Sequence, residues 1–210
     1  MKNSQTNRPL RGLVLAGGKS RRMGKDKSLM RYGSEPQWLR TARLLENPCQ
    51  DIHISIRADQ DAATFSADQN SPFPFLPDAL IDAGPLAGLL TAFRHDAQAA
   101  WLVVACDLPL LNKKTLDFLL RHRNTESLAT AFLSANDGLP EPLCAIYEPA
   151  ILPYLENAYT KKIFCPRKVL IQESSSVTLL KLPDPLSLEN ANTPEDFDRL
   201  SALVTEGAVL

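Results

Sequence analysis

The chain predicts a single α/β domain built on a mostly parallel, twisted sheet flanked by helices. Short apolar runs alternate along it with segments of helical period, the pattern of strands joined by crossover helices. Sixteen prolines fall mostly between these segments, where they mark loops and helix starts. Three candidate ligand groups, the segment 15–27, Asp78 and Asp107, each stand at the carboxyl end of an apolar run. Open parallel sheets gather their ligands at that edge.

Taken in order, residues 12–16 read as a buried first strand, and 36–46 as a helix with Pro36 in its first turn and Pro48 beyond its end. Residues 52–56 form the second strand and 73–76 a short extended stretch. A helix over 85–95 opens after Gly84 and leads into residues 101–105, the clearest central strand, with Asp107 at its end. Asn112 caps a helix over 112–122, strands follow at 128–132 and 143–147, and Thr193 caps a last helix over 194–204. Residues 149–176 read as helical in part, without resolved boundaries. The expected organisation is an N-terminal tail over 1–9 and one domain over 10–205, long enough to bury roughly 70% of its unfolded surface.

Composition narrows the function. A formal charge of −1 argues against a general electrostatic binder of nucleic acid or anionic membrane. The charge is unevenly placed, however: 11 of the 23 Lys and Arg residues fall within positions 1–43, against only Asp26 and Glu35 as acids, which suits an anionic ligand. Cys49, Cys106, Cys144 and Cys165 form no C-x-x-C pair, so neither a disulfide framework nor a zinc site is expected. His53, His95 and His122 lack metal-ligand spacing and are read as structural. With no apolar signal segment at residues 1–8 and no run of about 20 apolar residues, the expected location is the cytoplasm.

The segment Leu15-Ala-Gly-Gly-Lys-Ser-Arg-Arg-Met-Gly-Lys-Asp-Lys27 follows the first strand directly. Its glycines let backbone N–H groups approach phosphate oxygens, while Lys and Arg offset the phosphate charge. It is not a P-loop, because five residues separate Gly18 from Gly24 and Lys25 precedes Asp26 rather than Ser or Thr. Lys27 can meet a phosphate as a mobile point charge, and Arg21 and Arg22 offer planar forks for pyrophosphate. Asp107, at the end of an apolar run, would be costly without a cation, and magnesium is commonly held by one or two carboxylates plus substrate phosphates. The alternative, an N-cap role for Asp107, is weakened by Leu108 and Pro109, which separate it from Asn112.

These residues resemble the signature L-A-G-G-x-S-x-R-M-G-x-D-K of the molybdenum cofactor guanylyltransferases, which belong to the wider glycosyltransferase-A-like nucleotidyltransferases. The resemblance continues, in the family's order, through Asp82-Ala-Gly-Pro-Leu-Ala-Gly88, Cys106-Asp-Leu-Pro109, Pro140-Glu-Pro-Leu-Cys-Ala-Ile-Tyr147 and Asn190-Ala-Asn-Thr-Pro-Glu-Asp196. It implies a nucleotide-diphospho-sugar transferase-like, Rossmann-like sheet and a GMP transfer from GTP to molybdopterin carrying molybdenum. Leu15, Ala16, Gly17 and Gly18 would then contact guanine and ribose, Lys27 the phosphates, and Asp78 the nucleotide. Lys27, Arg22 and Asp107 would carry the chemistry, with Mg2+ on Asp107. The implied protein partners are molybdenum-insertion proteins and molybdoenzyme chaperones.

Ser55 departs from the pattern, standing where these guanylyltransferases commonly have asparagine. The alternatives are the same chemistry with CTP or a sugar phosphate, and a non-catalytic nucleotide-binding regulator. Gly84 and Gly88 fit either an anion near a helix start or close packing, and Asn190 and Asn192 either the site or a turn.

Overall fold

A computed structural model describes residues 9–18, 27–66 and 72–205. Seven strands form one sheet in the order β3-β2-β1-β4-β6-β5-β7: β1 (Leu10–Leu15), β2 (Ile52–Ile56), β3 (Phe75–Pro77), β4 (Ala100–Ala105), β5 (Ala129–Leu133), β6 (Pro140–Tyr147) and β7 (Val177–Lys181). Every pairing is parallel except the two made by β6, which runs against both β4 and β5. The expected mostly parallel sheet is therefore what forms.

Helices α1 (Gln37–Leu45), α2 (Ala62–Ser66), α3 (Pro85–His95), α4 (Lys113–Arg121), α5 (Leu152–Thr160), α6 (Pro166–Gln172) and α7 (Pro194–Thr205) surround the strands. The alternation along β4 divides the core. Ala100, Leu102 and Val104 face one apolar cluster with Trp38, Leu39 and Leu116, whereas Trp101 and Val103 face another with Leu89, Phe93, Leu155 and Leu170. Both faces are covered, which is why β4 is a continuous apolar run and buried at every position. None of the described helices is long and apolar enough to cross a membrane.

Two helix starts follow from local chemistry. The Asn112 side chain accepts from the Thr115 N–H at 3.0 Å, as expected for the cap of α4. At α7 the Asp196 N–H donates to Thr193 Oγ1 at 3.1 Å, and Asp196 Oδ2 accepts the N–H groups of Asn192 and Thr193 at 3.0 Å each. This reciprocal arrangement satisfies donors that a helix start leaves open.

Differences from the expected elements have physical causes. Strand β6 begins at Pro140 rather than 143, yet its ladder to β4 reaches only to Cys144. Pro140 and Pro142, which have no N–H to donate, thus lie outside that ladder, and the register with β5 shifts between Ala131 and Phe132. The unassigned stretch resolves into α5 and α6, each with proline in its first turn, followed by the unanticipated strand β7.

Candidate active site

A cavity of about 970 Å3 opens at the carboxyl ends of β1 to β4. Leu15, Ala16, Gly17, Gly18, Lys27, Asp78 and Asp107 all line it, so a common edge brings these sequence candidates together. Arg22, and with it Ser20, Arg21, Lys25 and Asp26, lies outside the described residues.

One end is built by β4 and the segment before α7. The Ala191 N–H donates to the Asp107 carbonyl at 3.2 Å, docking that segment on the strand end. Lys27 Nζ then donates to Asn192 Oδ1 at 2.7 Å and stands 3.6 Å from Asp107 Oδ2. Burial pushes the Asp107 carboxyl above the usual range; Lys27 opposes this, and the charge of Glu141 adds to it. The same surroundings, burial first and then the Asp107 charge, push the Tyr32 hydroxyl far up, so Tyr32 stays neutral.

The other end is built by β2 and β3. Ser55 Oγ donates to Asp78 Oδ1 at 2.7 Å, and the Asp78 N–H continues the β2–β3 pairing by donating to the Ile56 carbonyl at 2.8 Å. Burial pushes the Asp78 carboxyl up to about 6, against the opposing pull of Ser55 and Arg57. Three strand steps separate β3 from β4, so at about 4.8 Å per step the strand ends that precede Asp78 and Asp107 are roughly 14 Å apart along the sheet edge. That spacing suits an extended ligand whose charge is concentrated at the Lys27 end.

Gly88 of α3 has a packing reason to be glycine. A Cβ there would lie 2.5 Å from Leu15 Cδ2 and 2.6 Å from Ser55 Oγ, so the helix presses directly on the ends of β1 and β2. Gly84 takes a φ of 54°, which only glycine adopts freely, immediately before Pro85 opens α3.

Arg57 was not among the sequence candidates. It lines the cavity just beyond β2, and its Nη1 donates to the carbonyls of Gly17 and Gly18, 3.2 Å each. Nothing in the local pattern marks it, since its partners are 39 and 40 positions away.

Among the described residues no group of three or more His, Cys, Asp or Glu side chains could hold a metal ion. Asp107 lines the cavity outside any such group, with the Lys27 ammonium 3.6 Å away. Such a donor set fits a hard cation that completes its shell with water and phosphate oxygens, and does not fit a zinc-type cage.

The family described as MobA-like NTP transferase domain matches residues 12–176. A molybdenum cofactor biosynthesis bifunctional protein of Synechocystis sp. is 36% identical over 202 residues; the match covers 94% of this chain and 55% of that protein. A molybdenum cofactor guanylyltransferase of Pseudomonas putida is 34% identical over 190 residues, covering 87% of this chain and 93% of the relative. Among solved structures, molybdopterin-guanine dinucleotide biosynthesis protein A from Archaeoglobus fulgidus superposes with a TM-score of 0.75 at 24% identity, over 93% of this chain and 99% of that one.

Proposed function

Because the chain belongs to the MobA-like NTP transferase family, we propose that it transfers GMP from GTP to molybdopterin carrying molybdenum, releasing pyrophosphate and forming the guanine dinucleotide cofactor. What carries the proposal is the meeting of Lys27, Asp107 and Asn192 at one end of a cavity whose other end holds the Ser55–Asp78 pair.

In this reaction a phosphate monoester oxygen of molybdopterin attacks the α-phosphorus of GTP in line. The new P–O bond forms as the bond to the β-phosphate oxygen breaks, and the electron pair leaves with pyrophosphate. A phosphate monoester with a second pKa of about 6 is largely dianionic at neutral pH, so no side chain need act as base. The work of the protein is to position two anions and offset their charge.

Lys27 meets the phosphate chain, exchanging its contact with Asn192 for phosphate oxygens. Leu15, Ala16, Gly17 and Gly18 contact guanine and ribose, and Asp78 holds the base end. Arg22 assists Lys27 on the leaving pyrophosphate. Asp107 holds Mg2+, which when bound supplies Lewis-acid neutralisation of the phosphate oxygens. Residues 10–205 act as the catalytic unit, behind a tail at 1–9. We place the activity in the cytoplasm, with molybdenum-insertion proteins and molybdoenzyme chaperones as partners.

Ser55 favours CTP as a second reading, because its hydroxyl is committed to Asp78 where these guanylyltransferases commonly have an asparagine amide. Thermal midpoints measured with GTP, CTP, ATP and UTP plus magnesium separate the two, since a ligand that binds the native state raises the midpoint. The largest shift is expected with GTP. An equal or larger shift with CTP would reassign the base.

A further inference from the structure

Resting on the nucleotide assignment above, we infer that Ile81 is a base-binding residue, whose side chain covers a face of the nucleobase that Asp78 holds by its edge. Ile81 is 81% exposed, the largest exposure among the bulky apolar side chains that the described residues leave in water. The others, Leu139, Tyr154, Ile171 and Leu186, lie away from the cavity, whereas Ile81 lines it three positions beyond Asp78. A lone apolar side chain on an outer surface is ordinary, but one standing in a cavity wall beside a hydrogen-bonding carboxylate has a ligand to meet.

The turn that carries Ile81 is held at both ends. Before it, the Asp78 N–H donates to the Ile56 carbonyl at 2.8 Å and the Ala79 N–H to Thr91 Oγ1 of α3 at 2.9 Å. After it, Ala83 is buried, and the Ala87 N–H donates to the Gly84 carbonyl at 3.0 Å. Between these ties Leu80 packs on the apolar cluster that contains Leu89 and Phe93, and Asp82 takes a φ of 57°. A residue with a side chain adopts that left-handed backbone at a cost, which aspartate bears more readily than most. The strained turn thus covers Leu80 and Ala83 while leaving Ile81 in water. A β-branched side chain has few rotamers to lose on meeting a ligand, so the contact is pre-organised.

Place in the fold identifies what Ile81 meets. The turn leaves β3, three strand steps from β4, at whose end Lys27 and Asp107 stand, so on the assignment above the phosphate chain lies at the far side. Half-buried Leu15 and Leu80 line the cavity as well. Apolar side chains gain nothing by covering phosphate, which would lose its water, whereas a base offers a π face beside a polar edge. Ile81 suits the face and Asp78 the edge.

The test titrates GTP with magnesium into the parent protein, I81A, I81L and L186A by calorimetry at several temperatures, with guanosine measured by competition. I81A should weaken GTP by about tenfold, the factor for the apolar area of a partly covered side chain. Guanosine, which keeps the base but lacks phosphate, should weaken by the same factor to within about twofold, and the heat-capacity change for GTP should become less negative. I81L should recover most of the affinity. L186A, which removes an exposed leucine outside the cavity, should bind like the parent. The melting midpoint of I81A without ligand should match the parent's, because the side chain is exposed in the fold.

I81A binding GTP like the parent would overturn the inference, as would a loss for GTP that guanosine does not share or an unchanged heat-capacity change. A parent protein that binds no GTP would overturn the proposed function and this inference together. Parental binding with an unaffected I81A overturns only the inference.

Discussion

Lys27 and Asn192 lie 165 positions apart in the chain, yet Lys27 Nζ donates to Asn192 Oδ1 at 2.7 Å. The contact joins the end of the glycine-rich loop to the cap of α7 and holds the ammonium 3.6 Å from Asp107. A phosphate entering the cavity would meet a lysine already held beside the end of β4.

Lys27→Ala should therefore weaken triphosphate binding by roughly 1.5 to 3 kcal/mol, the range for a contact to a charged group. Calorimetric titration of GTP with magnesium measures it, and affinity equal to the parent would remove Lys27 from the phosphate site. Asn192→Ala should cost less, because it removes the partner that the ligand replaces.

Asp78 should set a pH dependence of nucleotide binding. Its folded-state value of about 6 lies above the ordinary 3.8, so the buried carboxylate is a cost present above pH 6 and relieved as pH falls toward 3.8. Asp78→Asn should raise the apo melting midpoint at pH 7.5, with the gain shrinking below pH 6. GTP affinity should move oppositely, falling in the parent between pH 7 and 5 as the acceptor protonates. A variant whose GTP affinity falls just as steeply would clear Asp78 of that role.

His53 gives a second and separate acid sensitivity. It is buried on β2, its Nδ1 has no hydrogen-bond partner among the described residues, and its ring lies 4.6 Å from that of His95, centroid to centroid. Burial first, then His95 and Arg11, holds its pKa below the usual 6.5, with Asp51 opposing. The native state prefers neutral His53, so this contribution is intact above pH 6.5 and is lost as pH falls below it. His53→Phe should flatten the decline of the melting midpoint between pH 6.5 and 5. An unchanged slope would assign that decline to other groups.

Two of the glycines that line the cavity, Gly88 and Gly18, should separate cleanly. Gly88→Ala places a Cβ against Leu15 and Ser55 and should destabilise by roughly 1 to 3 kcal/mol in denaturant unfolding, the range for overpacking. It should also disturb the Ser55–Asp78 hydrogen bond. Gly18→Ala meets nothing within 4 Å among the described residues, so its stability should stay near the parent's. Equal costs at both positions would contradict the close approach of α3.

How far the sequence discloses this site depends on whether the contact is local. Asn112 and Thr193 were legible as caps because their partners lie three residues on. Asp107 was legible because an apolar run ends just before it, and β4 is apolar because both its faces are covered. Strand β7 escaped notice because it lies at the sheet edge and is mostly half-buried, giving no clear apolar signal. The grip of Arg57 on Gly17 and the meeting of Lys27 with Asn192 depend on strand order, which no local pattern encodes.

The central claim is that Asp107 serves chemistry at the end of β4, and Asp107→Asn tests it most directly. The substitution keeps size and one acceptor oxygen while removing the charge that a divalent cation needs. The measurement is pyrophosphate release from GTP with molybdopterin-loaded acceptor at saturating magnesium, with the melting midpoint taken in parallel. Magnesium on this carboxylate would supply several kcal/mol of transition-state stabilisation, so turnover should fall by orders of magnitude. Because burial already disfavours the ionised form, the apo midpoint should hold or rise. Turnover near that of the parent, with the fold intact, would contradict the account and leave Asp107 a structural residue.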